Sequence, residues 1–348
     1  MSLPLLGVRV IEMGQLLAVP YLCKLLADMG AEIIRFESCT RLDPHRNSVF
    51  YGNAPGPTFW NRGANFYDQN RNKLGITIDL SDAEGRDLFR SLIAVSDVFC
   101  ENFTPRVMHN FLMEYEDLAK IRPDIIMLSS TGYGYHGPWA NYGAVGPTVE
   151  ASSGLMHISS YQEAPPVLAE IPYTDFVGAE HGLVAVMAAL NYRAKTGIGQ
   201  FIDLSQQASQ AALVPEVIMD YLANGRDAAS GGSNDHPSMA PHGVFPCRAE
   251  SDPAKEGEID RWIAIAVQTD KEWDALIQVM NEPQWSKEPR FHNGLARWHN
   301  RGELNHLIGE WTIHQDAIPL MQRLQEAGVA AGVPLTNRDL LWDQHLRG

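Results

Sequence analysis

Short apolar runs alternate with segments of helical spacing through the first two hundred residues. The run at 8–13, VRVIEM, predicts a buried strand. The segment at 20–29, PYLCKLLADM, has apolar residues at helical spacing and starts with a proline, which suits the first position of a helix. Gly30 then ends that helix, and AEIIRFE predicts a second strand. The chain therefore opens with a β-α-β unit.

The alternation continues to about residue 225. LSDAEGRDLFRSLIAVS predicts a helix in which Ser81 and Glu84 have capping-box spacing, and DVFCEN, DIIMLSSTGYG and FIDLS predict strands. Helical segments are PRVMHNFLMEYEDLAKIRP, residues 174–194 and QQASQAALVPEVIMDYLANG, with a kink expected at Pro215. Strands that alternate with helices predict a parallel sheet covered on both faces.

The pattern changes after this point. Residues 226–243 are rich in Gly, Ser, Pro and Asn, which predicts a loop and a domain boundary. Beyond it, VFPCR and RWIAIAV predict strands, Thr269 and Glu272 predict a capped helix, and two more helices are expected near 302–313 and 316–327. We predict a large α/β domain over 1–224 and a small α+β domain over 225–330.

Composition narrows the function classes. The 348 residues carry a net charge of −15, which argues against a partner that presents a phosphate backbone, so no nucleic acid is expected. The four cysteines form no C-x-x-C pair, and the longest helix-like apolar run, LVAVMAAL, is too short for a bilayer. These features, with an N-terminus that lacks a signal peptide, predict a soluble cytoplasmic protein without a membrane partner.

Several common site motifs are absent from the sequence. The first β-α turn, EMGQLLAVPY, is not G-x-G-x-x-G, although its backbone N–H groups can still serve a ligand at the start of the helix. No H-x-x-x-H or H-E-x-x-H spacing occurs, so no metal site is predicted. No G-x-S-x-G elbow occurs either, which argues against a serine hydrolase of the common α/β type.

Asp175 is the main candidate for chemistry. It lies in AEIPYTDFVGAEHG, and we expect Thr174 or Asp175 at or near the N-cap of the 174–194 helix. From these residues alone two interpretations stand: the carboxylate caps the helix, or it is a nucleophile that the helix N-terminus keeps ionised.

Several blocks together resemble the family III CoA-transferases, and the likeness covers nearly the whole chain. The resemblance rests on these blocks in this order: GVRVIEMGQLLAVPYLCKLLADMGAEIIRFE, NRNKLGITIDLSDAEGRDLFRSLIAVSDVFCENFTPRVM, GYGYHGPW, RAKTGIGQFIDLS and SMAPHGVFPCR. It implies a Rossmann-like large domain and an interlocked homodimer, with a heteromer formed with a paralogue as the other arrangement. It also implies acyl-CoA and carboxylic acid substrates and no tightly bound cofactor.

The family's nucleophilic aspartate falls on Asp175. The implied chemistry is CoA transfer between carboxylic acids through an aspartyl-CoA thioester. The family also includes α-methylacyl-CoA racemases, which pair the aspartate with a histidine, and here that position holds Val145. Valine cannot exchange a proton, so the sequence favours transfer over racemisation. A non-catalytic partner subunit is the third interpretation.

The resemblance also implies contacts with CoA. They are Gln15, Leu16, Leu17 and Ala18 in the first turn, Asn72 and Lys73, Asn102 and Phe103, and Arg106, Asn110 and Phe111 in TPRVMHNF. This segment departs from the family's pattern, because Thr104 and Asn110 stand where arginines are usual. Two interpretations of Arg106 stand: this residue, four before Asn110 on one helix face, supplies the missing phosphate-facing cation, or it is an ordinary surface arginine.

Two further expectations concern loops and the tail. The glycine-rich segment SGGS at 230–233 is either a lid over the site or a plain linker. Relatives usually continue beyond the motif TNRDLLWDQHLRG, so residues 331–348 are predicted to begin a return segment to the large domain that stops early in this chain.

Overall fold

The computed structural model describes residues 3–159, 165–227, 236–252 and 256–348. Their contacts divide the chain into two units. The first contains 3–159 and 165–227, and the second contains 236–252 and 256–348. The boundaries predicted from the sequence, at 224 and 330, remain predictions.

Six described strands of the first unit form one parallel sheet. The strands are β1 Arg9–Met13, β2 Glu32–Glu37, β3 Lys73–Thr77, β4 Val98–Glu101, β5 Ile126–Thr131 and β6 Gln200–Ser205. Their order across the sheet is β3-β2-β1-β4-β5-β6. This is a doubly wound order in which the direction of winding reverses between β1 and β4, and ligands bind outside the carboxyl ends of strands at such a point.

Helices cover both faces of this sheet. The described helices of this unit are α1 Ala18–Asp28, α2 Ala64–Asn70, α3 Ala83–Ala94, α4 Pro105–Phe111, α5 Tyr115–Ile121, α6 Gly146–Ser152, α7 Leu155–Ile158, α8 Tyr173–Thr196, α9 Gln206–Ala211 and α10 Pro215–Asn224. Alternate residues of β5 show how the layers form. Ile126 and Leu128 pack with α1 and α8, whereas Met127 and the residue just before the strand, Ile125, pack in the core that includes α3 and α5. The predicted α/β architecture is confirmed.

The structure corrects three local predictions. The Ser81–Glu84 capping box does not form, because α3 starts after Asp82 and the Ser81 hydroxyl bonds Asp79 instead. The helix expected after β4 is two helices, since Leu112 adopts a left-handed conformation between them. Pro215 does not kink a continuous helix; it is the first residue of α10.

The second unit is a small α+β structure. Its antiparallel strands, in the order β7-β8-β9, are β7 His242–Ser251, β8 Glu258–Ala266 and β9 Ala330–Gly332. Its helices are α11 Asp270–Val279, α12 Gly294–His299, α13 Arg301–Thr312, α14 Ala317–Glu326, α15 Asn337–Trp342 and α16 Gln344–Arg347. The capping box predicted for Thr269 and Glu272 is present at the start of α11.

The predicted return segment, 331–348, contributes to this second unit. Part of it completes β9 beside β8. Asp339 of α15 binds Arg261 of β8, with 2.6 Å between the carboxylate and the guanidinium. A contact of this segment with the large domain remains a prediction.

Candidate active site

The turn between β1 and α1 is held by two side chains from neighbouring loops. Asn102 accepts a hydrogen bond from the Gln15 N–H at 2.9 Å and donates one to the Gln15 carbonyl at 2.8 Å. Asp43 accepts the N–H of Leu16 at 3.2 Å. Leu16 has a φ of 62°, a left-handed conformation that a leucine rarely adopts, so these bonds fix a strained turn.

A buried group of paired charges lies beneath this turn. Arg35 forms ion pairs with Glu12 and with Asp43, the latter at 2.5 Å. Lys73 adds a second cation, with its Nζ 2.7 Å from the Glu12 carboxylate. All four side chains are almost fully buried, so each carboxylate depends on a cation for its charge. We call Glu12, Arg35, Asp43 and Lys73 the buried ion network.

Asp175 lies at the start of α8, at the carboxyl edge of the sheet. The helix begins at Tyr173, so Asp175 is its third residue and not its N-cap. Its carboxylate accepts hydrogen bonds from the side chain of Gln206 and from the backbone N–H of Ala18. Burial raises the pKa of Asp175 to about 6, and the two hydrogen bonds oppose that rise. No cation pairs with Asp175 among the described residues, which leaves its carboxylate available for chemistry.

The N-terminus of α6 approaches Asp175 closely. A Cβ added at Gly146 would lie 2.8 Å from the Asp175 carboxylate, so a side chain there would displace it. The Thr174 hydroxyl also donates to the Gly146 carbonyl at 3.3 Å. Glycine at this position therefore lets the two helix starts meet beside the carboxylate.

Asp175 lines a cavity of about 200 Å³ within the first unit. The wall consists of Gln15, Leu16, Arg41, Asn102, Phe103, Ser130, Gly132, Ala144, Val145, Gly146, Asp175 and Gln206. We call it the aspartate cavity. Its volume is below the range usual for drug-sized ligands, so it suits a small group.

A larger cavity of about 460 Å³ lies in the same unit. Its wall consists of Met13, Gly14, Gln15, Phe36, Glu37, Ser38, Thr40, Arg41, Ile78, Asp79, Leu80, Ser81, Phe103, Val107 and Phe111. Gln15, Arg41 and Phe103 belong to both walls. The two cavities are therefore neighbours outside the carboxyl ends of the strands, where the fold favours ligand binding.

Half of the predicted site residues line one or both cavities: Gln15, Leu16, Asn102, Phe103, Phe111 and Asp175. Val145, at the position of the racemase histidine, lines the aspartate cavity as well. Leu17 and Ala18 are buried behind the turn, and Ala18 reaches the site through its N–H. Arg106 and Asn110 are exposed on α4, outside both walls.

Asn72 and Lys73 also lie outside both walls. The Asn72 side chain donates to Asp28 at 2.8 Å, and Lys73 belongs to the buried ion network. Their contacts with CoA remain predictions.

Sequence reasoning missed Arg41, Ser130 and Gln206. Arg41 follows β2, Ser130 lies near the carboxyl end of β5, and Gln206 follows β6. Each is at the carboxyl edge of a predicted strand, so the rule that ligands bind there was a usable signal. The segment 230–233, predicted as a lid or a linker, lies outside the described residues.

Comparison with known proteins decides the family. The family model described as CoA-transferase family III matches residues 5–348. The chain belongs to this family. Its relatives therefore support CoA-transferase activity, with CoA thioesters as substrates.

Two curated relatives of this transferase come from Chloroflexus aurantiacus. One is named succinyl-CoA–D-citramalate CoA-transferase and is 32% identical over 98% of the present chain and 81% of the relative. The other is named succinyl-CoA–L-malate CoA-transferase alpha subunit and is 30% identical over 99% of this chain and 77% of the relative.

A solved structure agrees with the fold of the transferase. The crystal structure of a CAIB/BAIF family protein from Brucella suis matches with a TM-score of 0.86 and 30% identity. The match covers 100% of this chain and 88% of the Brucella suis chain. Within the described ranges, none of the helices combines the length and apolar character that a membrane span requires.

Proposed function

We propose that the protein moves CoA between an acyl-CoA donor and a carboxylic acid acceptor through an aspartyl-CoA thioester on Asp175. One observation carries the proposal: a partly buried carboxylate, to which no cation among the described residues is paired, faces a small cavity at the ligand-binding edge of the sheet. A carboxylate held in this way can act as a covalent nucleophile.

The proposed reaction has a balanced sequence of steps. An Asp175 oxygen attacks the donor's thioester carbon, and the C–S bond breaks to release CoA thiolate and leave a mixed anhydride. The thiolate then attacks the aspartyl carbonyl, which forms the aspartyl-CoA thioester and releases the donor acid. The acceptor carboxylate attacks the aspartyl carbonyl of that thioester, which releases the thiolate and leaves a second mixed anhydride. The thiolate then attacks the acceptor's carbonyl carbon, which gives the new acyl-CoA and frees the Asp175 carboxylate.

The walls of the aspartate cavity suit this chemistry. An anhydride hydrolyses, so water has to be kept out, and Leu16, Phe103, Ala144 and Val145 supply apolar surface around the carboxylate. Gln206 and the Ala18 N–H hold the nucleophile in place. A thioester on the aspartate is close in energy to the donor and product thioesters, which avoids a deep trap.

The geometry favours transfer over racemisation. Val145 lines the same cavity as Asp175, and no histidine belongs to that wall in the described chain. Exchange of a proton at the carbon next to the carbonyl needs an acid–base partner on the other side of that carbon. Asp175 likewise argues against a purely non-catalytic partner subunit.

We assign the larger cavity to CoA and the aspartate cavity to the acyl group. Arg41, which lines both, is exposed and pairs with no carboxylate among the described residues, so its guanidinium is available to an anionic group of the CoA thioester. Arg106 on α4 remains a second proposed contact. The volume of about 200 Å³ and the names of two relatives support a short acyl group such as succinyl as the donor.

Assembly, domain boundaries and location stay proposals. An interlocked homodimer is the arrangement that the family resemblance implies. A heteromer with a paralogue is the alternative, and one relative is named as an alpha subunit. A cytoplasmic location rests on the sequence features alone.

The test is an exchange assay with succinyl-CoA and an isotopically labelled acceptor acid. Labelled acyl-CoA together with free succinate is the expected result. Incorporation of deuterium from solvent at the α-carbon without exchange of acid would contradict transfer and support racemisation.

A further inference from the structure

The hydroxyl of Ser130 has no hydrogen-bond partner within the described part of the chain, although the residue is only 2% exposed. Its neighbour Thr131 shows the usual situation, because the Thr131 hydroxyl accepts the N–H of Gly134 at 2.8 Å. A buried polar group without a partner costs stability, so each case in a native fold needs an explanation.

The strand places this hydroxyl on the side of the nucleophile. Side chains of β5 alternate between faces, so Ser130 points to the same face as Leu128. Leu128 packs against α8, where a Cβ added at Gly182 would lie 3.3 Å from it. Asp175 lies seven residues before Gly182 in α8, which is about two helical turns. Asp175 is therefore on the same side of α8 as Gly182 and nearer the carboxyl edge of the sheet.

The cavity confirms this placement, since Ser130 and Asp175 line the same space of about 200 Å³. Two other polar side chains of its wall are already engaged. The Gln206 side chain bonds the Asp175 carboxylate, and the Asn102 amide bonds the Gln15 backbone. Ser130 therefore supplies a buried hydroxyl donor that no described residue uses.

We propose that the Ser130 hydroxyl donates a hydrogen bond to the carbonyl oxygen of the acyl group while Asp175 attacks it. This inference rests on the proposed function. When the Asp175 oxygen bonds to the carbonyl carbon, the C=O electron pair moves to oxygen and creates a negative charge. Ser130 stabilises that charge and keeps its own proton. The electron pair then returns, the C–S bond breaks, and the thiolate leaves.

A donor of this kind acts mainly on the transition state. The oxygen carries most charge at the moment of attack, and a fixed donor in a small, partly apolar cavity stabilises charge better than water does. Removal of the hydroxyl should slow the chemical step and leave binding of the CoA thioester nearly unchanged.

The test is Ser130→Ala, with the rate of Asp175 adduct formation from succinyl-CoA measured by rapid quench and mass spectrometry. We expect a fall on the order of 10²-fold, as for loss of one such donor elsewhere, and a change in the KM for the thioester below about twofold. The melting temperature of the free protein should stay the same or rise, because an unpartnered hydroxyl is removed.

Two matched variants separate this role from a structural one. Ser96 is equally buried, but its hydroxyl bonds the Leu92 carbonyl at 2.7 Å just before the amino end of β4. Ser96→Ala should lower the melting temperature and leave the adduct rate unchanged. Ser130→Cys keeps nearly the same volume with a weak S–H donor, so its rate should lie between those of Ser130→Ala and the wild type.

The outcomes are distinguishable. Equal adduct rates in Ser130→Ala and the wild type would overturn the inference and leave the proposed function intact. A Ser130→Ala protein that melts lower or fails to fold would also overturn it, since the hydroxyl would then be structural. Absence of any Asp175 adduct in the wild type would instead overturn the proposed function.

Discussion

Carboxylates that are buried or partly buried in the first unit differ in their partners. Glu12 and Asp43 pair with Arg35 and Lys73 inside the fold. Asp175 has two neutral hydrogen-bond donors and no described cation, and burial raises its pKa to about 6. The comparison separates two uses of a carboxylate: cations fix Glu12 and Asp43 as part of the fold, whereas in the proposed function Asp175 keeps its lone pairs for a substrate.

Substitutions in the ion network and at Asp175 should therefore have opposite effects on the stability of the fold. A buried carboxylate that loses its cation becomes an unpaired charge, so the ion network should be sensitive to substitution. Asp175 already carries an unfavourable charge, so its removal should stabilise the fold while it abolishes the reaction. If the proposed function holds, activity and stability are therefore opposed at Asp175, whereas the network serves stability.

The largest effect is expected for Asp175→Asn. Turnover should fall by at least about 10⁴-fold, because the nucleophile is lost. Chemical denaturation at pH 7 should show the variant to be more stable, by up to about 3 kcal/mol from the shift between 3.8 and about 6. The gain should shrink as the pH falls from 6 to 4, because wild-type Asp175 then folds uncharged at no cost. A variant less stable than the wild type at pH 7 would contradict the comparison.

Removal of a cation from the ion network should destabilise the fold. Lys73→Met leaves the Glu12 carboxylate with one cation fewer, and urea unfolding should show a loss of about 3–5 kcal/mol. Adding Glu12→Gln to Lys73→Met should recover part of that loss, since the unpaired charge is then gone. The KM for acyl-CoA of the folded variant should change less than about twofold. A larger rise would instead support the CoA contact predicted for Lys73 from the sequence.

The pH dependence of kcat/KM for acyl-CoA should report the Asp175 carboxyl. Activity needs the ionised form, so it should fall about tenfold per pH unit below pH 6. Glu101 is also buried, and desolvation raises its pKa to about 7. Gln206→Ala distinguishes the two groups. It removes the hydrogen bond that lowers the pKa of Asp175, so the inflection of the kcat/KM profile should move to higher pH. An inflection that does not move would assign it to another group.

The two candidate cations for CoA, Arg41 and Arg106, should contribute unequally to the binding of acyl-CoA. Arg41 lines both cavities, whereas Arg106 lies outside both walls. Arg41→Ala should raise the KM for acyl-CoA about tenfold, and Arg106→Ala by about twofold or less. Steady-state kinetics of both variants tests the ranking, and a larger effect at Arg106 would favour the contact predicted from the sequence.

Local patterns predicted most of the fold but not all of it. Runs of apolar residues identified β1, β2, β4, β5 and β6, since these strands are buried or half-buried. The edge strand β3 was missed because its sequence, KLGIT, contains no apolar run and three of its five residues are exposed. The breaks at Leu112 and Pro215 depend on the conformation of single residues, which periodicity does not report.

The residues of the candidate site that lie in recognisable sequence segments were predictable. The family resemblance pointed to Asp175 and the first turn, and the structure brings them together through the Ala18 N–H. Arg41, Ser130 and Gln206 come from three other places in the chain. Strand order brings them to one cavity, and nothing local in the sequence specifies that order.

The most direct test of the central claim is mass spectrometry of the Asp175 peptide after the protein is incubated with succinyl-CoA and quenched in acid. The account predicts an added mass of CoA or of the acyl group on that peptide in the wild type, and none in Asp175→Asn. A wild-type protein that transfers CoA while the Asp175 peptide stays unmodified, or an adduct that persists in the variant, would contradict it.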